Sequence, residues 1–420
     1  MIDIEVAAVP PPEPERPTTN GPADWVRHNL FRSTRDSIVT VVSALVVGYV
    51  VYRAVRYVFV TGRWEIVRVN LRLFLVGRYP SDELWRISLA IALIAGFAGL
   101  VGGFIGRRRI VTGRVPPGPA LPWWRVALGT AGRLWPLLVG SALLLSMVTT
   151  IGPWLTLVGA VAAAAIGRLV GPHLPGRSGP FLVLFAVLGF GALILFLRVP
   201  LDVTDWGGIM LNLFLAIAGI TLCFPLGLLL ALGRRSTKLP LVRAMSVAYI
   251  EFFRGVPLYV LLLLAFIAVP LFLPGDTANP SVVLRAIVAM TLFTAAYVAE
   301  IVRGGLQSLP RGQTEAAQAL GLSPIKTSAL IVLPQALRNV IPSLVGQFIS
   351  LFKDTTLAAA AMGMLDLLNV YKVTTAQPAF DGQGLTGEVI VFVMLLFWVG
   401  CITMSRESQR LERKLGVGTR

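Results

Sequence analysis

Between Ile87 and Gly106, and again between Ile209 and Gly233, the chain carries no charged side chain. A helix of roughly 20 such residues crosses the hydrocarbon core of a bilayer. Within that core only helices and closed barrels satisfy every backbone N–H and C=O. Stretches of this kind recur along the whole sequence. Ten are read as spans: 38–60, 87–106, 134–151, 154–170, 181–197, 209–233, 258–273, 282–301, 341–368 and 389–404. The composition agrees, with 55% hydrophobic and 14% charged residues, whereas a soluble domain carries about 25% charged. The fold class expected is all-α, a polytopic transmembrane helix bundle. The span at 258–273 is expected to begin earlier, near Tyr249, and the span at 341–368 is interrupted by Lys353 and Asp354.

Lys and Arg number 37 against 21 Asp and Glu, for a net charge of +16. A strongly basic chain suggests nucleic acid until the charges are located. With both termini cytoplasmic, 25 of the positive residues fall in inside segments and 7 in outside segments. That asymmetry is the signature of membrane orientation, so no nucleic-acid partner is expected. The expected topology is a membrane crossed many times, with both termini inside. Residues 1–35 combine the run Pro10-Pro11-Pro12 with mixed charges and no apolar signal region. They read as a disordered cytoplasmic tail, and the first span itself directs insertion. Residues 36–200 read as an N-terminal accessory transmembrane region, 201–408 as the working transmembrane domain, and 409–420 as a cytoplasmic tail.

His28 and His173 have no Cys, His or carboxylate cluster near them, so no metal site is expected. Cys223 and Cys401 sit inside apolar runs and outline no disulfide framework. The outside loop 61–86 interleaves Arg63, Arg68, Arg72 and Arg78 with Trp64, Ile66, Val67, Leu71 and Phe74. This pattern reads as an amphipathic helix lying at the lipid interface. Gly99-xxx-Gly103 and Gly102-xxx-Gly106 allow close approach of a neighbouring helix.

The segment between Ile301 and Ile341 is cytoplasmic. Thr314-Glu315-Ala316-Ala317 favours a helix, and Gly321 suits the position just past its end. Ser323-Pro324 supplies a cap and a first-turn proline for a second helix. Glu315-Ala316-Ala317, then Gly321, then Ile331-x-Leu333-Pro334 resembles the EAA loop of binding-protein-dependent ABC importer permeases. Tyr249-Ile-Glu251-Phe-Phe-Arg254-Gly-Val-Pro257, Ala296-Tyr297-Val-Ala-Glu300-Ile-Val-Arg303 and Gln347-Phe-Ile-Ser-Leu-Phe-Lys353-Asp354-Thr355 are similar to the polar amino-acid subfamily of those permeases. The likeness runs from about Trp206 to Arg406 and extends to the M-type subunits of general L-amino-acid permeases, which also carry extra N-terminal spans.

The resemblance implies a permease subunit that forms part of a path for L-amino acids. It implies a related permease subunit as heterodimer partner, two cytoplasmic ATPase subunits, an external amino-acid-binding protein, and an EAA helix seated in a groove of the ATPase. Glu315, Ala316, Ala317, Gly321, Ile331, Leu333 and Pro334 are the expected coupling residues. The chain has no G-x-x-x-x-G-K-[ST], since Lys326-Thr327 follows Ile325, and no nucleophile motif. It is therefore expected to be no enzyme, with no catalytic residues and no cofactor of its own; ATP and Mg belong to the partner ATPase.

Ionisable groups within spans mark candidate functional sites. Lys353 and Asp354, beside Thr355, offer a donor and an acceptor for a zwitterion or, alternatively, an internal salt bridge. Glu300 with Arg303 and Glu251 with Arg254 have the i,i+3 spacing of structural ion pairs. Tyr297 and Asn212 complete the candidate path. An ion-coupled secondary transporter or channel, in which Glu300 or Asp354 would carry protons, is the rival reading; a non-transporting scaffold is the second.

Overall fold

The computed structural model describes residues 22–111, 122–133, 151–179, 206–236, 239–272 and 280–416, with isolated positions between 181 and 189. The spans expected at 134–151 and 181–197 lie outside them except at isolated positions. Among the described residues the chain is helical, and its β pairing is limited to the isolated bridges Gly77–Trp206 and Gly208–Asp366. Among the described residues seven helices are long and apolar enough to cross a membrane, or eight if a sharply bent pair counts as one span.

Two compact units divide the chain at Arg63. In the first, α1 (Pro22–Leu30) and α2 (Thr34–Arg56) are helical. Residues 22–30, expected within a disordered tail, are helical: Pro22 sits at the first helical position, where its missing N–H costs nothing. Ser33 then caps α2, its Oγ accepting from the Asp36 N–H at 3.1 Å.

The second unit opens with α3 (Glu65–Val69) and α4 (Leu71–Val76). Here the expected interfacial helix is corrected. Ile66, Val67, Leu71 and Phe74 are buried against Leu367, Val370, Leu385, Val389 and Phe392 of the same unit, with the Phe74 and Phe392 rings edge to face at 5.1 Å. Amphipathic periodicity cannot distinguish a lipid face from a protein face. Each of these four side chains contributes roughly 1.5–3 kcal/mol as an upper figure. Asn70, between the two helices, donates to the Ile66 carbonyl at 2.9 Å and exchanges amide hydrogen bonds of 3.2 and 2.7 Å with Gln377.

The helices α5 (Leu84–Val111), α6 (Trp123–Arg133) and α7 (Ile151–Val170) follow. Their contact is set by small residues: a β-carbon on Gly99 would lie 2.1 Å from the Ala164 carbonyl oxygen, and one on Gly167 2.0 Å from that of Gly96. Gly103 abuts Arg168 and Pro172, whereas Gly102 and Gly106 face open space. Of the two small-residue patterns in the sequence, one is used.

The remaining spans are α8 (Gly208–Arg235), the pair α9 (Pro240–Gly255) and α10 (Leu258–Phe272), and α11 (Val282–Gln307). After these come the short α12 (Arg311–Ala319) and α13 (Pro324–Thr327), then α14 (Leu333–Met362), α15 (Val370–Thr375) and α16 (Thr386–Leu415). Where the 258–273 span was expected to begin near Tyr249, the chain forms a sharply bent pair, α9 and α10 meeting at 100°. Pro257 forces Val256 out of the helical region, to φ −97° and ψ 133°. The last helix runs on beyond the expected span end at 404, through residues 409–415, and closes at Gly416 in the left-handed region.

Arg285 is a buried cation with a structural cause. Pro270 inside α10 has no N–H for the Phe266 carbonyl. The Arg285 Nη1 donates to that oxygen at 2.7 Å while its guanidinium lies over the Phe266 ring.

Candidate coupling and translocation site

Arg311–Ala319 forms the short helix α12, read in the sequence as the start of the coupling loop. Its end is a Schellman closure: the Leu322 N–H reaches the Ala317 carbonyl at 3.2 Å and the Gly321 N–H that of Gln318 at 2.9 Å. Gly321 supplies the φ of +80° that this closure requires. Ser323 Oγ then accepts from the Lys326 N–H at 3.4 Å, so α13 begins at Pro324. A π turn, Ser328–Val332, carries the chain into α14 without a break.

The faces of α12 differ from the expectation in one respect. Glu315 and Ala316 are exposed, but Ala317 is 4% exposed and turned into its own subunit. Ala317 is thus an internal contact. Leu320, at 84% exposure, stands out in its place, with Leu330 exposed close by in sequence. Leu320 was missed in the sequence because it belongs to no motif position, although a leucine beside a capping glycine on a polar segment was the available signal. Ile331 and Leu333 are half-buried and Pro334 is exposed.

Beneath this segment α11 and α14 cross at close range. A β-carbon at Gly305 would sit 2.5 Å from Val340 Cγ1 and 2.8 Å from the Ala336 oxygen. Val332, Ala336 and Val340 pack there with Val302 and Leu306. Gln335 bonds to Gln313 at 3.4 Å and to the Ile331 carbonyl at 3.0 Å, and Asn339 to Ser308 at 3.4 Å. The loop is thereby tied to the crossing.

One to two turns back along α11, Glu300 gathers the arginines of three helices. Arg303 donates from Nε at 2.9 Å and from a second nitrogen; Arg234 lies at 3.5 Å and Arg254 at 4.0 Å. The Glu300–Arg303 pair read from spacing is present. Glu251 pairs instead with Arg234 of α8 at 3.0 Å, so the i,i+3 reading of Glu251 with Arg254 is corrected. The guanidinium of Arg254 also lies 5.8 Å from the centre of the Tyr297 ring, which stacks on Phe293. Glu300 and Tyr297 are held inside this cluster.

On α14 the candidate path residues separate. Lys353 is exposed within the chain and Asp354 half-buried, and neither joins a salt bridge among the described residues. Adjacent helical residues do not face each other, which removes the internal Lys–Asp bridge. Asn212 and Thr355, expected on a path, are instead fully buried. The Asn212 amide donates to Thr355 Oγ1 at 2.8 Å and to Asp366 Oδ2 at 3.2 Å, and accepts from the Leu367 N–H at 2.9 Å. Asp366 also accepts from the Asn369 N–H at 2.8 Å. Burial pushes the Asp366 carboxyl above its ordinary range, against the hydrogen bonds from Asn369 and Asn212 that pull it down. Sequence reasoning missed Asp366. A carboxylate flanked by leucines four residues beyond the last apolar turn, with Asn369 three positions on, was the signal.

No cluster of His, Cys, Asp and Glu able to hold a metal ion occurs among the described residues. The family described as binding-protein-dependent transport system inner membrane component matches residues 223–417, which contain α12, α13 and the Glu300 cluster, together with Thr355 and Asp366 but not Asn212. The chain is 34% identical over 423 residues to the inner membrane amino-acid ABC transporter permease protein YhdY of Escherichia coli, covering 97% of each. It is 36% identical over 437 residues to the glutamate/glutamine/aspartate/asparagine transport system permease protein BztC of Rhodobacter capsulatus, covering 96% of each. A shorter relative, the glutamate/aspartate import permease protein GltK of Escherichia coli O157:H7, is 34% identical over 211 residues, 49% of this chain and 91% of its own length. The chain belongs to the binding-protein-dependent inner-membrane transport components, among the amino-acid ABC transporter permeases, as a multi-pass, non-catalytic subunit.

Proposed function

We propose that this chain forms one wall of a path for amino acids, opened by ATP hydrolysed, with Mg, in a separate cytoplasmic subunit that seats on residues 311–334. The observation that carries this reading is the rigid closure of α12: a short helix with Glu315, Ala316 and Leu320 outward, locked by Gly321 to the crossing of α11 and α14. An exposed leucine and alanine fill an apolar groove, and the Glu315 carboxylate adds a polar contact at its rim. Ala317, Ile331, Leu333 and Pro334 set the angle of that face. A second, related permease supplies the facing wall, two ATPase subunits seat on the pair, and an external binding protein delivers the amino acid. Both termini lie on the cytoplasmic side.

Lys353 is the path residue best suited to an amino-acid carboxylate, with Asp354 beside it for the ammonium. The Asn212–Thr355–Asp366 network holds the opposite face of the same helix turn. Glu300 is committed to arginines, which argues against its acting as a free proton carrier.

The test is affinity purification of the solubilised chain, wild type beside Glu315→Lys with Gly321→Val, probed for a co-purifying P-loop ATPase. Recovery with the wild type and loss with the variant is the expected result. Uptake that persists without any ATPase, driven by an imposed ion gradient, would overturn the reading.

A further inference from the structure

We infer that residues 64–77 and 206–416 form one structural unit, and that residues 78–205 are an insertion into it. The chain leaves this unit and returns to it at one point. Gly77 pairs with Trp206 in an antiparallel bridge. The approach is too close for any side chain: a β-carbon on Gly77 would lie 2.3 Å from the Gly207 Cα, and one on Gly208 2.3 Å from the Phe74 oxygen. Gly77 and Gly208 also hold φ of +68° and +56°. From the same point the Gly208 N–H bonds to the Leu365 carbonyl at 2.9 Å, joining the junction to the loop that holds Asp366.

Ile66, Val67, Leu71 and Phe74 have their side chains in the core made by residues 367–396, while Val76 at the end of the segment packs on the core that Trp206 and Leu211 help to form. The described part of the interval has a separate seam, where Gly99 and Gly103 of α5 meet α7 backbone to backbone. The foot of α5, at Leu84 and Ile87, rests on the permease core. Close entry and exit points are what allow a segment to be inserted into a domain without disturbing it.

The geometry also constrains topology. Gly77 and Trp206 touch, so they lie on the same side of the membrane, and the interval between them crosses an even number of times. The helices α5 and α7 supply two crossings, and the sequence-read spans at 134–151 and 181–197 supply two more.

The experiment uses the full-length chain with a C-terminal affinity tag and two engineered protease sites, one after Ser81 and one between Leu201 and Trp206. After insertion, solubilisation and complete cleavage, the fragment ending at Ser81 is expected to stay on the resin with the C-terminal fragment. Phe74→Asp is expected to release most of it. An independent measurement replaces Asn70 and Gln377 with cysteine: oxidation is expected to link the same two fragments so that they migrate together after denaturation. Release of the N-terminal fragment from the wild-type cut protein, or no cross-link on oxidation, would overturn the inference.

Discussion

Replacing Gly321 tests whether the geometry of the coupling helix, rather than the bulk of any side chain, governs transport. A β-carbon built at this position meets nothing within 4 Å, so no steric clash accompanies a substitution. The whole cost is conformational. Holding an L-residue at φ +80° costs about 1–2 kcal/mol for alanine and more for a β-branched residue, while asparagine visits this region readily. The two closing hydrogen bonds exist only with that φ. A helix of nine residues has little stability of its own, so a loss of about 1–2 kcal/mol lowers the population in the closed form by a factor of about 5–30. The assay is ATP-driven uptake into proteoliposomes containing the chain with its partner permease, ATPase and binding protein, normalised to the amount inserted. The expected order of rates is wild type, Gly321→Asn, Gly321→Ala, Gly321→Val. Equal rates for valine and wild type would refute the reasoning, as would an asparagine variant as impaired as valine.

Arg285→Met leaves the Phe266 carbonyl without its donor and is expected to cost about 1.5–3 kcal/mol, read as lowered thermal unfolding in detergent. Pro270→Ala restores the missing backbone N–H, so in that background the same change at Arg285 should cost markedly less. Gly305→Leu drives a side chain into Val340 and Ala336 and should cost about 1–3 kcal/mol by overpacking, with uptake lost as α11 and α14 separate. Asp366 binds its proton more tightly folded than unfolded, because burial raises it from the ordinary 3.8. Its contribution to stability is therefore full at low pH and falls as pH rises above 3.8 through the folded value. The melting temperature of the wild type relative to Asp366→Asn should decline across that interval; a constant difference would show that the carboxyl does not titrate this way.

The spans were legible because hydropathy over 20 residues is a long-range average that local detail does not disturb. The helix, turn and helix at 311–327 were legible for another reason: helix propensity, capping and a left-handed glycine are all local, and each is written within four residues of where it acts. Partner choice was not. Glu251 has Arg254 at helical spacing yet bonds to Arg234, because that choice depends on how α8 and α9 meet. Residues 64–77 show an amphipathic pattern that names an apolar face without naming what covers it. Asn212 and Thr355 look like path residues by composition and prove to be joined to each other and to Asp366, which lies 154 positions from Asn212. Their burial follows from tertiary packing that no spacing within either helix encodes. The bend between α9 and α10 was readable in principle, from the proline at 257.

The helix α14 begins at the coupling loop and ends beside the Asn212–Thr355–Asp366 network, and its 30 residues reach about 45 Å. It is a lever whose first turns are joined to α12 and α13. Were it to tilt by about 10° around its inner end, its far end would sweep about 8 Å, more than a side-chain hydrogen bond can stretch. The polar network at that end therefore either travels with the helix, carrying the loop at 363–369 along, or breaks at each stroke. Whichever occurs, a tilt at one end of α14 is felt at the other through a single continuous backbone, with no relay of side chains between them.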